Sequence, residues 1–532
     1  MAYEFVATED LEPPVGWRLD PDKIISGFGK FPKFQSFVCF YLISTWFVWA
    51  LLVMNPAFVN MTPPFACQKT VAEFESFDTM ASVDSNFDKS CTHGNISTSR
   101  EWCGANGTGF VYDSSFGETI VSEFNLVCND SKYSQLSTSV LAIGGMVSNL
   151  IATSLADRYG RKPVFVASAL LLAVTCVLSP FAPSYLWLLV SQFGVGLCTS
   201  GVIYVGWVLC CETMPIQSRT IMPFVAQTVW TAGYCSLGLL AYLFVDWRTL
   251  FMVTAVPTLL YISSPWAIPE SLPWLVAHNR ESEVKELVEK IQRWNGRRID
   301  LKTCTRKADS AEARPYRTAV DVFSSPLLLF YVAVWSAISF TLAMVYWGLS
   351  LFSTALHSDR YIGFFLSGLV ELPASFIGFL LLQIFGRRTV AIIAFLICAV
   401  PLAVFVVLPP DVPTWVSLTL WMVGKGGIMM VFNATDILQP EMMPTTTRNA
   451  TYGLAILFGS VGAIVAPQTG HLMESNPKMP PLIYATLCFG SAALCLNLPE
   501  TKGEELPEDI DDVQLGPTLK LLKRLFSPRS AR

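Results

Sequence analysis

Charge is scarce in this sequence. Only 14% of the 532 residues are charged, whereas soluble domains usually carry about 25%. The chain therefore lacks the polar surface that would cover a soluble body of its size, and 52% of its residues are hydrophobic. A net charge of −5 gives no basis for nucleic-acid binding. These proportions predict an integral membrane protein, embedded in the lipid bilayer.

The sequence also lacks the residue patterns that metal binding and nucleotide binding need. The four histidines lie outside the apolar runs or at their ends, and none stands at metal-ligand spacing. No G-x-x-x-x-G-K-[S/T] phosphate loop is present. We therefore expect no metal centre, no cofactor and no enzymatic activity.

What the sequence does have is a series of apolar runs, which predicts an all-α membrane protein with twelve transmembrane helices. Most runs reach about 20 residues, the length that crosses a bilayer. The first is too long for the core of a cleaved signal peptide. The runs lie near residues 34–59, 135–156, 164–181, 185–210, 220–245, 249–268, 326–352, 361–384, 389–408, 414–438, 450–472 and 481–498.

Lysine and arginine predict the orientation. Most of them lie in the two tails and in alternate loops, which the positive-inside rule places in the cytoplasm. We expect cytoplasmic tails at 1–33 and 499–532, an extracellular loop at 60–133 and a cytoplasmic linker at 269–325. The few cationic residues left outside are Lys69, Lys89, Arg100, Lys132, Arg248, Arg360 and Lys478.

The long loop after the first run has the content of an extracellular segment. It holds an even set of cysteines, for which three disulfide pairings are possible, and four N-glycosylation sequons. Of the sequons we favour Asn95 and Asn106, because Asn60 and Asn129 lie close to the bilayer. The ten other cysteines are expected to be small buried hydrophobic residues. The loop cysteines are Cys67, Cys91, Cys103 and Cys128.

Three cytoplasmic motifs occur twice at nearly one offset. We therefore predict two six-helix halves of like orientation, 34–268 and 326–498. Such parallel repeats place a substrate site near the membrane midplane, between the halves, and expose it alternately to the two sides. The pairs are Glu212-Thr-Met-Pro-Ile-Gln-Ser-Arg219 with Glu441-Met-Met-Pro-Thr-Thr-Thr-Arg448, Asp157-Arg-Tyr-Gly-Arg-Lys162 with Gln383-Ile-Phe-Gly-Arg-Arg388, and Pro269-Glu-Ser with Pro499-Glu-Thr.

The linker between the halves contains one amphipathic stretch. Residues 281–294 carry Val284, Leu287, Val288 and Ile291 at helical spacing, which predicts a helix on the cytoplasmic face. Two roles stay open for this helix: it joins the halves, or it senses lipid.

The repeated motifs bring opposite charges to the cytoplasmic helix ends. We expect ion pairs, above all those of Asp157, Glu212 and Arg219, to latch an inner gate in an outward-open state and to part when it opens inward. The alternative is positive-inside anchoring, which suits Lys162 and Arg387. The candidate gate residues are Asp157, Arg158, Gly160, Arg161, Glu212, Arg219, Glu441 and Arg448.

These motifs resemble those of a known family. Asp157-Arg-Tyr-Gly-Arg-Lys162 is similar to the signature loop of the major facilitator superfamily. Asn125-Leu-Val-Cys128, Pro269-Glu-Ser-Leu-Pro-Trp274 and the Glu441–Asn449 motif resemble the organic cation, organic anion and carnitine transporter family, over residues 28–505. The resemblance implies a major facilitator fold and movement of small organic ions across the plasma membrane without ATP hydrolysis. Two residues depart from the family pattern. Thr153 stands where glycine is usual, and Gln383 stands where aspartate is usual. Because Gln383 carries no charge, charge latching would be weaker in the second half.

Charges inside the spans are the first candidates for a substrate site. A charge at the bilayer centre costs about 2.5–3.5 kcal/mol unless it faces a cavity or a partner. Glu371 lies about 15 Å into the eighth span. Lys425 and Asp436 lie on nearly one face of the tenth span, with Asn433 one turn before Asp436, and we expect this face to meet water. Two alternatives stay open: Asp436 belongs to the inner gate, and Lys425 neutralises Glu371 structurally.

Position matching within the family adds further candidates. Gln227, Trp207 and Phe340 fall at substrate-site positions, and aromatic rings can hold organic cations by cation–π attraction, although core packing also explains them. Ser460 stands in the eleventh span, where cation carriers have an acid and anion and carnitine carriers have an arginine. The two acids Glu371 and Asp436 outnumber Lys425, so cationic or zwitterionic substrates are expected. The alternatives are an organic anion or carnitine-like transporter and a non-transporting receptor or scaffold.

Overall fold

The computed structural model describes residues 17–68, 109–219, 221–299, 301, 304–307, 325–355, 359–409, 412–444, 447–504, 507, 513–518 and 520. Eleven of the helices found there are long and apolar enough to cross a membrane. A shorter apolar helix, Met479–Cys495, follows them. Each apolar run of the sequence therefore corresponds to a helix, and the predicted all-α membrane fold is confirmed.

Several spans are made of more than one helical segment. Pro56 ends the first helix early, and the sixth and eleventh spans each contain a 3-10 segment between two α-helical segments. In chain order the spans are Lys33–Met54 with Pro56–Val59, Leu136–Tyr159, Arg161–Leu178, Tyr185–Thr213, Met222–Leu243, Trp247–Ala255 with Val256–Ser263 and Ser264–Ala267, Pro326–Leu351, Arg360–Leu369 with Glu371–Ile384, Arg387–Val407, Thr414–Met442, Arg448–Val465 with Ala466–Gln468 and Thr469–Ser475, and Met479–Cys495.

The loops contain short elements, including strands that the sequence did not predict. Trp17–Leu19 pairs antiparallel with Thr305–Lys307, and Phe65–Gln68 pairs antiparallel with Gly109–Tyr112. The remaining short elements are the α-helices Pro21–Gly27, Ile120–Glu123, Ile216–Arg219, Leu272–Ala277 and Glu281–Asn295, and the 3-10 turns Ser114–Phe116, Cys128–Tyr133, Ser179–Phe181 and Phe352–Ala355.

The helix Glu281–Asn295 is the amphipathic stretch of the linker. Its apolar residues Val284, Leu287, Val288 and Ile291 are buried against protein. At its end, the Trp294 ring lies 5.6 Å from the Phe34 ring at the start of the first span. Because the protein covers its apolar face, the geometry supports the joining role rather than lipid sensing.

Two glycines show the internal repeat in the packing. Gly233 of the fifth span lies against the backbone carbonyl of Phe47 in the first span. Gly462 of the eleventh span lies in the same way against the carbonyl of Phe340 in the seventh. A Cβ at either glycine would overlap that carbonyl oxygen. The same close helix contact is thus built once in each half.

A break in the eighth span positions an acidic residue. Pro373 has no N–H and its ring pushes on the carbonyl four residues before it, so a helix running through it is interrupted. The first segment ends at Leu369 and the second begins at Glu371. The carboxylate of Glu371 therefore stands at a helix amino terminus, where the helix dipole favours negative charge.

The two halves meet along a seam. We call the side that carries residues 17–32 and 499–504 the inner side, and the opposite side, which carries residues 60–68 and 109–135, the outer side. On the outer side Ser139 Oγ donates to the Ile464 carbonyl at 2.8 Å. The Phe58 ring stacks on Tyr361 at 5.7 Å, and Tyr234 stacks on Phe364 at 4.3 Å. Polar and aromatic contacts thus close the seam from the outer surface to mid-depth.

Candidate functional site

A buried ion pair lies where the closed part of the seam ends. Lys425 Nζ lies 3.0 Å from Glu371 Oε1, and both side chains are 0% exposed. The two charges therefore neutralise each other inside the protein. Of the alternatives that the sequence left open, the geometry supports the structural one for Lys425. The expectation that Lys425 faces water is wrong in this conformation.

Neighbouring groups complete the ion pair. The Tyr346 hydroxyl donates to Glu371 Oε1 at 2.9 Å, and Lys425 donates to Ser350 Oγ. The ammonium also lies 3.5 Å from the centre of the Tyr346 ring, a cation–π contact. Buried charges are tolerated when they are both paired and hydrogen-bonded. All of these partners belong to the second half.

The first half reaches the same carboxylate from the fifth span. Gln227 Nε2 donates to Glu371 Oε2 at 3.1 Å, and Trp230 Nε1 donates to the same oxygen at 3.0 Å. The two donors lie three residues apart, on one face of the helix. Gln227 thus lies at the seam and bonds to Glu371, and its role as a substrate contact stays a prediction.

A row of indole rings extends from this cluster into the first half. The Trp230 ring lies 4.7 Å from Trp49, Trp49 lies 5.4 Å from Trp46, and Trp46 lies 5.6 Å from Trp207. Trp46, Trp49 and Trp207 are half-buried. The sequence indicated Trp207 alone. The spacing of Trp46 and Trp49, one helical turn apart on the first span, is the signal that could have found the others.

Asp436 has a different environment from Glu371. It lies eleven residues after Lys425 on the tenth span, about 16 Å further along the helix axis towards the inner side. Its side chain is exposed, yet Tyr204 of the first half and Tyr452 of the second lie close enough to feel its charge. A residue that is exposed to solvent while spans of both halves surround it lines a wet space between the halves. The geometry places Asp436 in such a space, at the depth of the inner half of the tenth span.

The other site candidates lie near the seam in less distinctive settings. Asn433 is half-buried and donates to the Ser375 carbonyl at 3.3 Å. Phe340 is half-buried, and its backbone lies at the contact with Gly462. Ser460 is half-buried and bonds to the Ile456 carbonyl of its own helix at 3.1 Å. None of these three adds a charge to the site.

On the inner side, Arg161 is the centre of a network in the first half. It pairs with Asp157 at 3.1 Å and with Glu212 at 3.2 Å. Its backbone N–H donates to Glu270 Oε1 at 2.9 Å, so Glu270 caps the third span. Gly160 has φ +106° there, and a Cβ would overlap the Glu270 carboxylate.

The second half repeats this network. Arg387 pairs with Glu441 at 3.3 Å, and the backbone N–H of Arg388 donates to Glu500 Oε1 at 3.4 Å. The Pro-Glu motifs therefore cap equivalent helices in the two halves, a role that the sequence did not assign to them.

The described inner ion pairs of Arg161 and Arg387 each join residues of the same half. The latch of an inner gate by these ion pairs stays a prediction. Asp157 is 76% exposed, and Arg219 pairs at 2.6 Å with Asp22 of the amino-terminal tail. Arg158 is exposed against the Tyr159 ring, and the Arg448 side chain lies outside the described part.

The outer loop is described only in part. Cys128 is disulfide-bonded, whereas the side chains of Cys67, Cys91 and Cys103 lie outside the described residues, as do Asn95, Asn106 and the Asn129 side chain. Asn60 is 1% exposed. Its amide donates to Ser137 Oγ at 2.9 Å and to Thr138 Oγ1 at 2.8 Å. Because this amide is buried and bonded, a glycan on Asn60 does not fit the structure.

The ten described cysteines of the spans and linker form no disulfide bond. Eight of the ten are buried and two are half-buried, in keeping with a packing role. Within the described part of the chain, no cluster of three or more His, Cys, Asp or Glu side chains is arranged to hold a metal ion.

Known proteins resemble this chain over most of its length. The family model described as "Sugar (and other) transporter" matches residues 37–512. Solute carrier family 22 member 1 of Bos taurus is 32% identical over 409 residues, which cover 76% of this chain and 72% of the relative. An organic cation transporter protein of Drosophila melanogaster is 28% identical, with 92% and 94% of the chains covered. Organic anion transporter 3 of Homo sapiens is 30% identical, with 76% of each chain covered.

A solved structure has the same fold. The inward open xylose transporter XylE from E. coli matches with a TM-score of 0.57 and 14% identity, covering 88% of this chain and 98% of that one. Twelve helices in two halves around a seam are the fold of major facilitator transporters. The chain belongs to the sugar (and other) transporter family, and its curated relatives place it with the organic-ion carriers of that family.

Proposed function

We propose that this transporter moves small organic cations across the plasma membrane by alternating access, with both termini in the cytoplasm. In this proposal the described conformation faces the cytoplasm, since the seam is closed on the outer side. The relatives' names include both cation and anion carriers, so the choice between the two rests on the charges in this chain.

The observation that carries the proposal is the contrast between two acids. Glu371 is buried and neutralised by Lys425. Asp436 is exposed in the space between the halves, and no described ion pair includes it. A lone carboxylate in a space bounded by protein attracts a cation more strongly than it would in open water. Asp436 thus supplies the acidic site that Ser460 lacks.

The same geometry argues against an organic anion as the substrate. An anion would need a cation that is free to meet it, and Lys425 is fully buried with its ammonium on Glu371, Ser350 and the Tyr346 ring. Tyr204 and Tyr452 lie near Asp436, and aromatic side chains beside an acid favour an organic cation.

Tracer uptake tests the proposal. Asp436→Asn removes the charge but keeps the side-chain size, and we expect it to lower uptake of a monovalent organic cation about tenfold or more, because interactions with a charged group are worth roughly 1.5–3 kcal/mol. Uptake of a neutral analogue of the same shape should change little. Glu118→Gln is the matched control, since it removes one exposed acidic charge on the outer side. Uptake is normalised to surface abundance by biotinylation.

Equal losses for the cation and the neutral analogue would contradict the charge assignment. Repeating uptake without sodium and pH gradients shows whether transport is coupled to an ion. An epitope at either terminus should react with antibody only after permeabilisation, and reaction on intact cells would reverse the proposed orientation.

A further inference from the structure

We propose that Glu371 is a polar lock between the two halves, which holds the outer seam closed in this conformation, rather than a substrate contact. The proposal goes beyond the choice of substrate and does not depend on substrate charge. It requires only that the outer seam opens during transport.

The carboxylate of Glu371 is shared between the halves, one oxygen for each. Oε1 is bonded by Tyr346 and Lys425, at 2.9 and 3.0 Å, and both belong to the same half as Glu371. Oε2 is bonded by Gln227 and Trp230 of the other half, at 3.1 and 3.0 Å. Two charge-assisted hydrogen bonds therefore cross the seam at one atom.

The position of this contact makes it a lock. On its outer flank the seam is closed by Tyr234, whose hydroxyl donates to the Ser350 carbonyl and Ser367 Oγ at 3.3 Å each. On its inner flank the exposed Asp436 lies in the wet space. Glu371 thus stands at the inner limit of the closed outer seam. A rotation that opens the outer seam pulls the fifth span from the eighth, and it must break the two bonds to Oε2.

The lock is reversible because opening it breaks two hydrogen bonds but separates no ion pair. When the halves part, Lys425 and Tyr346 move with Glu371, so the carboxylate keeps its counter-ion. Only the two donors lose their partner, and water entering the opened seam can replace it. Had Lys425 belonged to the first half, the same movement would have separated a buried ion pair, at far greater cost.

Three variants distinguish a lock from general support of the carboxylate. Trp230→Phe removes the N–H but keeps a ring beside Trp49, and Gln227→Leu removes the amide; each deletes one bond across the seam. Tyr346→Phe is the matched control, since it deletes an equally short bond to the same carboxylate from within one half. Each is combined with Thr354→Cys as a reporter, because Thr354 is only 5% exposed at the outer end of the seventh span. Cys235→Ser is included throughout to remove a half-buried thiol of the fifth span.

The measurement is the rate at which a membrane-impermeant thiol reagent, added outside without substrate, labels the reporter. We expect Trp230→Phe and Gln227→Leu each to raise the rate about tenfold, because one hydrogen bond to a charged group shifts an equilibrium by roughly that factor or more. Tyr346→Phe should stay within about twofold of the parent. Parent-like rates for both seam variants, or an equal rise for Tyr346→Phe, would overturn the proposal. A failure here would leave the role of Asp436 untouched, since no substrate is present.

Discussion

Removing Lys425 tests whether the buried pair is structural. In Lys425→Met the ammonium is replaced by an apolar side chain of similar length, and Glu371 is left charged at 0% exposure. Removing one partner of a buried pair typically costs about 3–5 kcal/mol, because the remaining charge is uncompensated. The total stability of a folded domain is about 5–15 kcal/mol. We therefore expect a large fall in the free energy of unfolding and in surface abundance.

The double variant Glu371→Gln with Lys425→Met supplies the decisive comparison. It removes both charges, and glutamine still accepts from Gln227 and Trp230 through its carbonyl oxygen. Replacing a buried ion pair by neutral groups is often neutral in stability. The double variant should therefore recover most of the loss, with a coupling energy of about 2–3 kcal/mol in the cycle.

The assay is denaturant-induced unfolding of purified protein in detergent, measured for the parent, both single variants and the double variant. A double variant as unstable as Lys425→Met alone would refute the reasoning, since the loss would then come from packing. A Lys425→Met variant of parental stability would refute it as well. If that variant were stable but had lost transport, Lys425 would contact substrate in another conformation.

Two further predictions concern packing and glycans. Gly462→Val should reduce the amount of folded protein, measured by size-exclusion chromatography, because a side chain there overlaps the Phe340 carbonyl; the control Gly490→Val, where nothing lies within 4 Å, should leave it unchanged. Asn95→Gln and Asn106→Gln should each remove one glycan, seen as faster migration on a gel, whereas Asn60→Gln should not change the migration but should lower stability, because its buried amide bonds the second span.

The fold could be predicted from the sequence because bilayer thickness dictates the length of each apolar run. The repeated motifs likewise indicated which loops are equivalent. What these signals did not show is how the motifs contact one another. Glu270 and Glu500 each cap the helix that begins at the arginine of the repeated Gly-Arg pair. Each of these caps joins residues that are more than a hundred positions apart in the sequence. Local sequence carries no trace of such a contact.

The charges of the site show the same limit more sharply. Counting two acids against one lysine predicted a net negative site, and helical periodicity predicted that Lys425 and Asp436 share a wet face of the tenth span. The count is unchanged in the structure, but the wet face is not continuous.

At the level of Lys425 the halves are in contact, so that side chain is covered by Ser350, Tyr346 and Glu371. About 16 Å further along the helix Asp436 is open. Periodicity gives the direction in which a side chain points, whereas burial depends on the separation of the halves at that depth. The expected preference for cations therefore rests on Asp436 alone. Glu371 and Lys425, which were part of the charge count, neutralise each other.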